Sequence, residues 1–332
     1  MKTIQSDKFA RIAAIDIGTV TTRVLLADIF ANASTDISGI ELQEIYRDLR
    51  ITQLGQDIPL TGQLSDKGIG AVLDALAEFV QVLRHFQVDE ILCVATSAVR
   101  DAANANVLIE GATSLGIEVE VAPGKVEAQL AFLGATYGLT QKASDKPVLV
   151  IDVGGGSTEL VLGRVRPGGK TEILKVDSFQ MGARRIADMF IDCDPPSAAE
   201  IKGIRSYLEQ IASYELKQYV GQFGQVIAVA GTATTLAAVL NKVETYNSKE
   251  IQGKQVTRED MDALLQLFRS KPLEERQKIT GLEPKRAGVI IAGMLVLESV
   301  MTALDCKQFF ASDRDLLYGV LIAATEAATR AG

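Results

Sequence analysis

The sequence predicts an α/β protein built of two related lobes. Three observations carry this. Residues 14–28, AIDIGTVTTRVLLAD, align without a gap on residues 150–164, VIDVGGGSTELVLGR, so that Ile15 meets Ile151, Asp16 meets Asp152, Gly18 meets Gly154 and Thr22 meets Thr158. Apolar strand-like runs alternate with helical periods on both sides of this repeat. The length, 332 residues, suits about two domains.

Each copy of the repeat is a short apolar run ending in Asp, a turn of Gly, Ser and Thr, and a second apolar run. That is the pattern of a β-hairpin whose first strand delivers a carboxylate to a turn. In the first half, strands are expected at 12–17, 23–29 and 42–53. Gln53 to Ser65 holds Gly, Pro, Asp and Thr and reads as loop. Helical periodicity runs from Lys67 to Phe86, followed by a buried-type strand Glu90–Ala95. A helix near Ala98–Gly111 and a strand Ile117–Val121 come next. Pro123-Gly124 opens a helix to about Tyr137. Thr140 to Lys146 is polar and reads as a connection.

Strands 148–153, 157–164 and 171–177 follow, the last two joined by a Pro167-Gly168-Gly169 turn. Helices then dominate, at about 180–191, 197–219, 232–241, 258–270, 284–304 and 313–330, with strands at 225–230 and 307–311 between them. The longest apolar stretch, Val289 to Leu297, is shorter than the ~20 residues a bilayer span needs. It reads as a buried helix.

Hydrophobic residues make up 47% and charged residues 23%, ordinary for a globular chain with a core. The net charge of −8 argues against general nucleic-acid binding. An anionic ligand must then be held by a local cluster or a metal. No charged-then-apolar leader is read, so a soluble cytoplasmic protein with no membrane association is expected. Cys93, Cys193 and Cys306 are isolated, which gives neither a disulfide framework nor a zinc knuckle. The single histidine, His85, reads as a helix C-terminal residue. A two-His metal site cannot be built.

The second hairpin packs Gly154, Gly155 and Gly156 and then Ser157 between the carboxylates Asp152 and Glu159. Glycines let a backbone approach a ligand closely, and turn N–H groups can hold phosphate oxygens. Two hard carboxylates beside such a turn suit Mg²⁺ or Mn²⁺ shared with phosphate. In the first hairpin, Asp16 suits a metal-bound water, and Thr19, Thr21 and Thr22 offer hydroxyls. Arg23 suits a phosphate or a solvated edge-strand position equally. A strand, the Gly231-Thr232 turn and a helix N-terminus make a third anion nest. Arg100, at another strand-to-helix junction, can reach an anion or pair with an acid. Glu127 sits in a first helical turn, where an acid is ordinarily a dipole partner.

Several phosphate-enzyme signatures fail. Cys93 to Arg100 is C-x6-R, one residue too long for a cysteine phosphatase loop. Asp16-Ile17-Gly18 lacks the second Asp of a D-x-D aspartyl-phosphate enzyme. Gly169-Lys170-Thr171 has Arg164 where a P-loop needs its first Gly.

Taken together, AAIDIGT, ATSAVRDAAN, PGKVEAQLAFLGA, IDVGGGSTELVLG, SFQMGARR, AGTATTLAA and KRAGVIIAG resemble the exopolyphosphatase / guanosine pentaphosphate phosphohydrolase (Ppx/GppA) family of the actin, sugar kinase and Hsp70 superfamily. The resemblance covers nearly the whole chain. It implies two ribonuclease-H-like lobes with the active site in the cleft between them, in the short two-domain form. The implied lobes are 1–126 plus about 313–332, and 127–312, with the last helix returning to the first lobe. It further implies that Glu127 is the base that activates water, and that Asp16, Asp152 and Glu159 bind or orient Mg²⁺ and that water. Arg100, Gly154–Ser157 and Gly231-Thr232 match positions lining the phosphate channel. A homodimer is expected from the family.

The chain departs from the family in places. Val20 replaces the Asn, and Thr19 and Thr21 the serines, of a first hairpin that usually reads D-x-G-S-N-S. Gly288 stands where Asp is common, and Leu317-Tyr318 where Arg-Glu is common. The expected activity is Mg²⁺-dependent release of terminal orthophosphate from inorganic polyphosphate. The alternatives are hydrolysis of guanosine pentaphosphate, a polyphosphate- or nucleotide-binding regulator with weakened catalysis, and a kinase of the same superfamily.

Overall fold

The computed structural model describes residues 8–31, 39–139, 146–166, 169–245 and 247–331. Strands β1 (Lys8–Ile17), β2 (Thr21–Ala31), β3 (Ile40–Ile51), β4 (Glu90–Ala95) and β5 (Val119–Val121) form one sheet in the order β3-β2-β1-β4-β5. Helices α1 (Ile58–Thr61), α2 (Asp66–Leu83), α3 (Ser97–Asp101) and α4 (Ala105–Ser114) lie between its strands, and α5 (Gly124–Thr136) leaves it. Strands β6 (Val148–Val153), β7 (Thr158–Val165), β8 (Thr171–Phe179), β9 (Gln225–Val229), β10 (Gln255–Thr257) and β11 (Gln308–Ala311) form the second sheet, in the order β10-β11-β9-β6-β7-β8. Its helices are α6 (Ala183–Phe190), α7 (Ala198–Glu215), α8 (Ala230–Leu240), α9 (Ser248–Ile251), α10 (Arg258–Arg269), α11 (Leu273–Arg276) and α12 (Ile290–Ala303). Helix α13 (Leu316–Ala331) comes last.

The two sheets are built alike. In each, an antiparallel meander (β1-β2-β3, β6-β7-β8) carries a parallel strand on its first member, β4 on β1 and β9 on β6. Strand β6 is buried throughout, because helices cover both of its faces. Leu149, Ile151 and Val153 face the large core under α6, α7, α8, α10 and α12, while Val148 and Val150 face α5. In β1, Ala13, Ile15 and Ile17 face α2, while Ile12 and Ala14 face α13. Side chains alternate along a strand. Asp16 and Asp152 therefore fall on the faces that α13 and α5 cover.

Those two helices tie the lobes together. Leu130 and Leu133 of α5 pack with Leu316, Leu321 and Ile322 of α13, while Ala128, Phe132 and Ala135 of the same helix pack on the second sheet. The crossing is close because two glycines meet backbone there. A Cβ on Gly134 would overlap the Asp315 carbonyl, and one on Gly319 the Leu130 carbonyl.

Most expected elements form within a few residues of their expected limits, with identifiable exceptions. The loop from Gln53 to Ser65 contains α1. The helix expected at 98–111 breaks into α3 and α4, because the Asn104 side chain bonds both the N–H (2.8 Å) and the C=O (2.9 Å) of Leu64. The helix expected at 284–304 begins as a short 3-10 turn and becomes α-helical only at Ile290; Arg276 captures the Ala287 carbonyl at 2.8 Å. Strand β10 and helices α9 and α11 were not expected. Residues 140–145 of the expected connection, and Pro167 and Gly168 of the expected turn, lie outside the described residues. Among the described residues, no helix is long and apolar enough to cross a membrane.

Gly319→Val is expected to destabilise the fold by about 3 kcal/mol, at the upper end of overpacking effects because the clash is with backbone. An earlier midpoint in urea denaturation is the readout.

Candidate active site

The two hairpins make the same turn. Gly18 N–H donates to the Thr21 carbonyl at 2.9 Å, and Gly154 N–H to the Ser157 carbonyl at 3.0 Å. The turns meet across the cleft. A Cβ on Gly155 would stand 2.7 Å from Thr19 Cβ and 2.8 Å from Val20 Cγ2, and one on Gly156 would overlap Ser97 Oγ. This close approach accounts for glycine at both positions. Val20, one of the departures from the family pattern, forms part of that contact.

The carbonyls of Gly154, Gly155 and Gly156 accept from the N–H groups of Ala183, Arg184 and Gly182. In a trans peptide the N–H points opposite to the C=O, so the N–H groups of Gly155, Gly156 and Ser157 point the other way. On the first hairpin, the Thr19 carbonyl takes Gly55 N–H at 2.8 Å and the Val20 carbonyl takes those of Thr52 and Gln53 at 3.0 Å.

A narrow well of about 90 Å³ opens between the turns. Asp16, Thr19, Arg23, Glu127, Asp152, Gly154, Gly155, Gly156, Ser157, Gly231 and Thr232 all line it. Two expected residues do not. Glu159 is buried beside the well, its Oε1 accepting from Ser178 Oγ at 2.7 Å. Arg100 donates from Nη1 to Glu127 Oε2 at 2.9 Å and to the Ala122 carbonyl at 2.8 Å. Its Nη2 is buried with no partner.

The register explains the electrostatics. Asp16 lies directly opposite Arg23 on β2, and Asp152 directly opposite Glu159 on β7. At equivalent places in the repeat, one lobe sets a cation against its Asp and the other a second carboxylate. Arg23 holds Asp16 Oδ2 through Nε at 3.0 Å and through Nη2, and pairs with Asp315 through Nη1. The guanidinium expected at phosphate is thus bound to two acids.

Burial is the largest influence on the remaining carboxyls. It pushes Glu127 up to about 7 against the pull of Arg100, with Asp16 and Asp101 adding to the rise. Burial, then Asp315 and Glu127, hold Asp152 well above the usual carboxylate range. Burial, then Glu127 and Asp152, do the same to Glu159. Burial also raises Asp16, opposed by Arg23.

Asp16 Oδ1 and Glu159 Oε2 are buried with no hydrogen-bond partner. Such oxygens suit a hard cation. Among the described residues, however, no three His, Cys, Asp or Glu side chains group so as to hold a metal. Of the expected trio, Asp16 and Asp152 line the well, and Glu159 is buried beside it with Oε1 bonded to Ser178. An ion there would rest on Asp16 and Asp152 and complete its shell with phosphate oxygens and water, as Mg²⁺ commonly does.

The third nest sits at the start of α8. Ala230 takes a left-handed φ of 63°, costing about 1–2 kcal/mol for a residue with a Cβ. This bend turns the chain from β9 into a helix whose first residues, Gly231 and Thr232, face the well. Arg286 lies against Gly231, in the space a side chain there would fill. Ser97 and Arg286 also line the well and were not singled out from the sequence, although both fall within family motifs. Of the departures, Gly288 is exposed with open space around it, and Leu317 and Tyr318 are buried.

Two lobes, each presenting a hairpin turn to a shared cleft with α5 and α13 crossing between them, define the actin-like ATPase fold. Within it, the chain belongs to the Ppx/GppA phosphatase family, whose model matches residues 33–327. Exopolyphosphatase 2 of Mycobacterium tuberculosis is 30% identical over 323 residues, covering 94% of this chain and 98% of that protein. The crystal structure of the Aquifex aeolicus family member superposes with a TM-score of 0.76 at 31% identity, covering 96% and 98% of the two chains. A guanosine-5′-triphosphate,3′-diphosphate pyrophosphatase of Photobacterium profundum is 25% identical over 299 residues, covering 89% of this chain and 55% of that protein.

The raised carboxyls make stability depend on pH. A folded-state pKa above the unfolded value gives stability that is complete below about 4.5 and is lost as pH rises through about 7 for Glu127. Asp152 and Glu159 act in the same direction. The melting temperature of wild type is expected to fall between pH 5 and pH 8, and Glu127→Gln, neutral throughout, to fall less. Thermal melts at both pH values check this.

Proposed function

We propose that the chain removes terminal orthophosphate from inorganic polyphosphate by direct attack of water. Family membership makes it a phosphoanhydride hydrolase. The observation that carries the mechanism is Glu127: a buried carboxyl at the start of α5, on the wall of a phosphate-sized well, with its pKa raised to about 7. A base poised near the working pH is the most effective one.

In this reading Glu127 takes the proton from the attacking water. Arg100, hydrogen-bonded to Glu127, holds that carboxylate in place. The turn N–H groups of Gly155, Gly156 and Ser157 and the N-terminus of α8 at Gly231-Thr232 receive the phosphate oxygens. The hydroxyls of Thr19 and Ser97 lie on the same wall. Asp16 and Asp152 would hold Mg²⁺, with Mn²⁺ as the substitute, and the cation would neutralise the charge of the transferring group. Without it, several carboxylates would face a polyanion.

Guanosine pentaphosphate is the second reading, and the second cavity favours it. About 640 Å³ in volume, that cavity shares Arg23, Ala230, Gly231 and Arg286 with the well and has room for more than a phosphate chain.

Orthophosphate release from long polyphosphate and from guanosine pentaphosphate, with Mg²⁺ or EDTA, tests both readings. Wild type is expected to release phosphate only with the metal, with kcat/KM rising through about pH 7 as Glu127 loses its proton. Glu127→Gln should lose ~100-fold or more, as for loss of a general base. Tight binding without release would mark the chain as a regulator, and phosphate transfer from ATP to an alcohol as a kinase.

A further inference from the structure

Asp315 precedes α13 and is buried, 4% exposed. One oxygen, Oδ1, accepts from Leu317 N–H at 3.2 Å and so caps the helix start. The other pairs with Arg23 Nη1. Arg23 in turn spends Nε and Nη2 on a single oxygen of Asp16, Oδ2. That leaves Asp16 Oδ1 buried and without a partner, on a residue that lines the well. Arg23 lines both the well and the larger cavity, whereas Asp315 lines only the larger one.

Neighbouring residues cannot stand in for Asp315. Leu317 is buried among apolar side chains. The Tyr318 hydroxyl donates to Glu44. Asp313 pairs with Arg47.

We propose that Asp315 is a positioning residue for the hydrolysis proposed above, on which this inference rests. It fixes the Arg23 guanidinium between two carboxylates, and through Arg23 it sets the rotamer of Asp16, leaving one oxygen free for the well. A guanidinium held on one side only can swing on its flexible stem and carry Asp16 with it. Misplacing such a group by about 1 Å can cost on the order of 100-fold in rate. Asp315 touches neither the phosphate nor the attacking water.

Wild type, Asp315→Ala, Asp315→Asn, Arg23→Ala and the Arg23→Ala/Asp315→Ala double variant are compared by Mg²⁺-dependent orthophosphate release and by thermal melting. Asp315→Ala is expected to lower kcat by roughly 10- to 100-fold while KM moves less than about threefold. The double variant should be no slower than Arg23→Ala, because the two residues act as one unit. Asp315→Asn keeps an oxygen for Leu317 N–H; it should restore the melting temperature but only part of kcat.

Lowered melting with wild-type kcat in the Asp315 variants would reduce Asp315 to a helix cap and overturn the proposal. So would a double variant whose loss is the product of the two single losses. A wild type that releases no orthophosphate removes the hydrolytic reading and this inference with it. An active wild type with an unaffected Asp315→Ala removes this inference alone.

Discussion

The site depends on an unequal sharing of charge. Asp16, Glu127, Asp152 and Glu159 are all buried at or beside one cleft, and two like charges 4 Å apart repel by roughly 4 kcal/mol even at an effective dielectric of 20. Two guanidinium groups bond members of this set. Arg23 neutralises Asp16, and Arg100 reaches Glu127. Asp152 has Glu159 opposite it instead of a cation. The second lobe is therefore left electron-rich and protonated more readily than water-exposed acids would be. The two copies of the repeat thus differ in charge at equivalent places, Arg23 and Glu159.

This arrangement needs a tight enclosure. The glycine turn of one hairpin lies in contact with Thr19 and Val20 of the other, and Ser97 closes the side. Water is thereby kept from screening the carboxylates, which is why burial leads the causes of every upward shift among them. Across the mouth, Arg185 of α6 pairs with Asp101 of α3, and Asp57 N–H donates to Asp188 at 3.0 Å. These contacts tie α3 and the loop before α1 in the first lobe to α6 of the second.

Much of this was legible in the chain because its chemistry is local. The hairpins, with Asp16, Asp152 and the Gly154–Ser157 turn, are contiguous segments, and the nest at Gly231-Thr232 is a strand followed at once by a helix. Glu127 was different. An acid in a first helical turn is ordinary, and only the packing of α5 on the second sheet brings it to Asp152 and Glu159. The role expected of it came from family resemblance alone. The α3–α4 break could not be read because its cause, the Asn104–Leu64 pair, spans 40 residues. Asp315 escaped notice for the same reason. Its partner Arg23 stands 292 positions away. Arg23 itself was read as open between phosphate and solvent, and it is bound to two carboxylates.

The placement of α13 has a bearing on how the chain is made. Its Leu316, Leu321 and Ile322 cover a face of the first sheet that includes Ile12, Ala14, Leu25 and Ala27. The ribosome delivers those strands early and their cover ~290 residues later, which at ~5–20 residues per second is an interval of tens of seconds. The second sheet is made in the same interval, its last strand β11 (Gln308–Ala311) only just before α13. During synthesis this face of the first lobe thus stays without its α13 cover, and bare apolar surface of that kind is prone to aggregate.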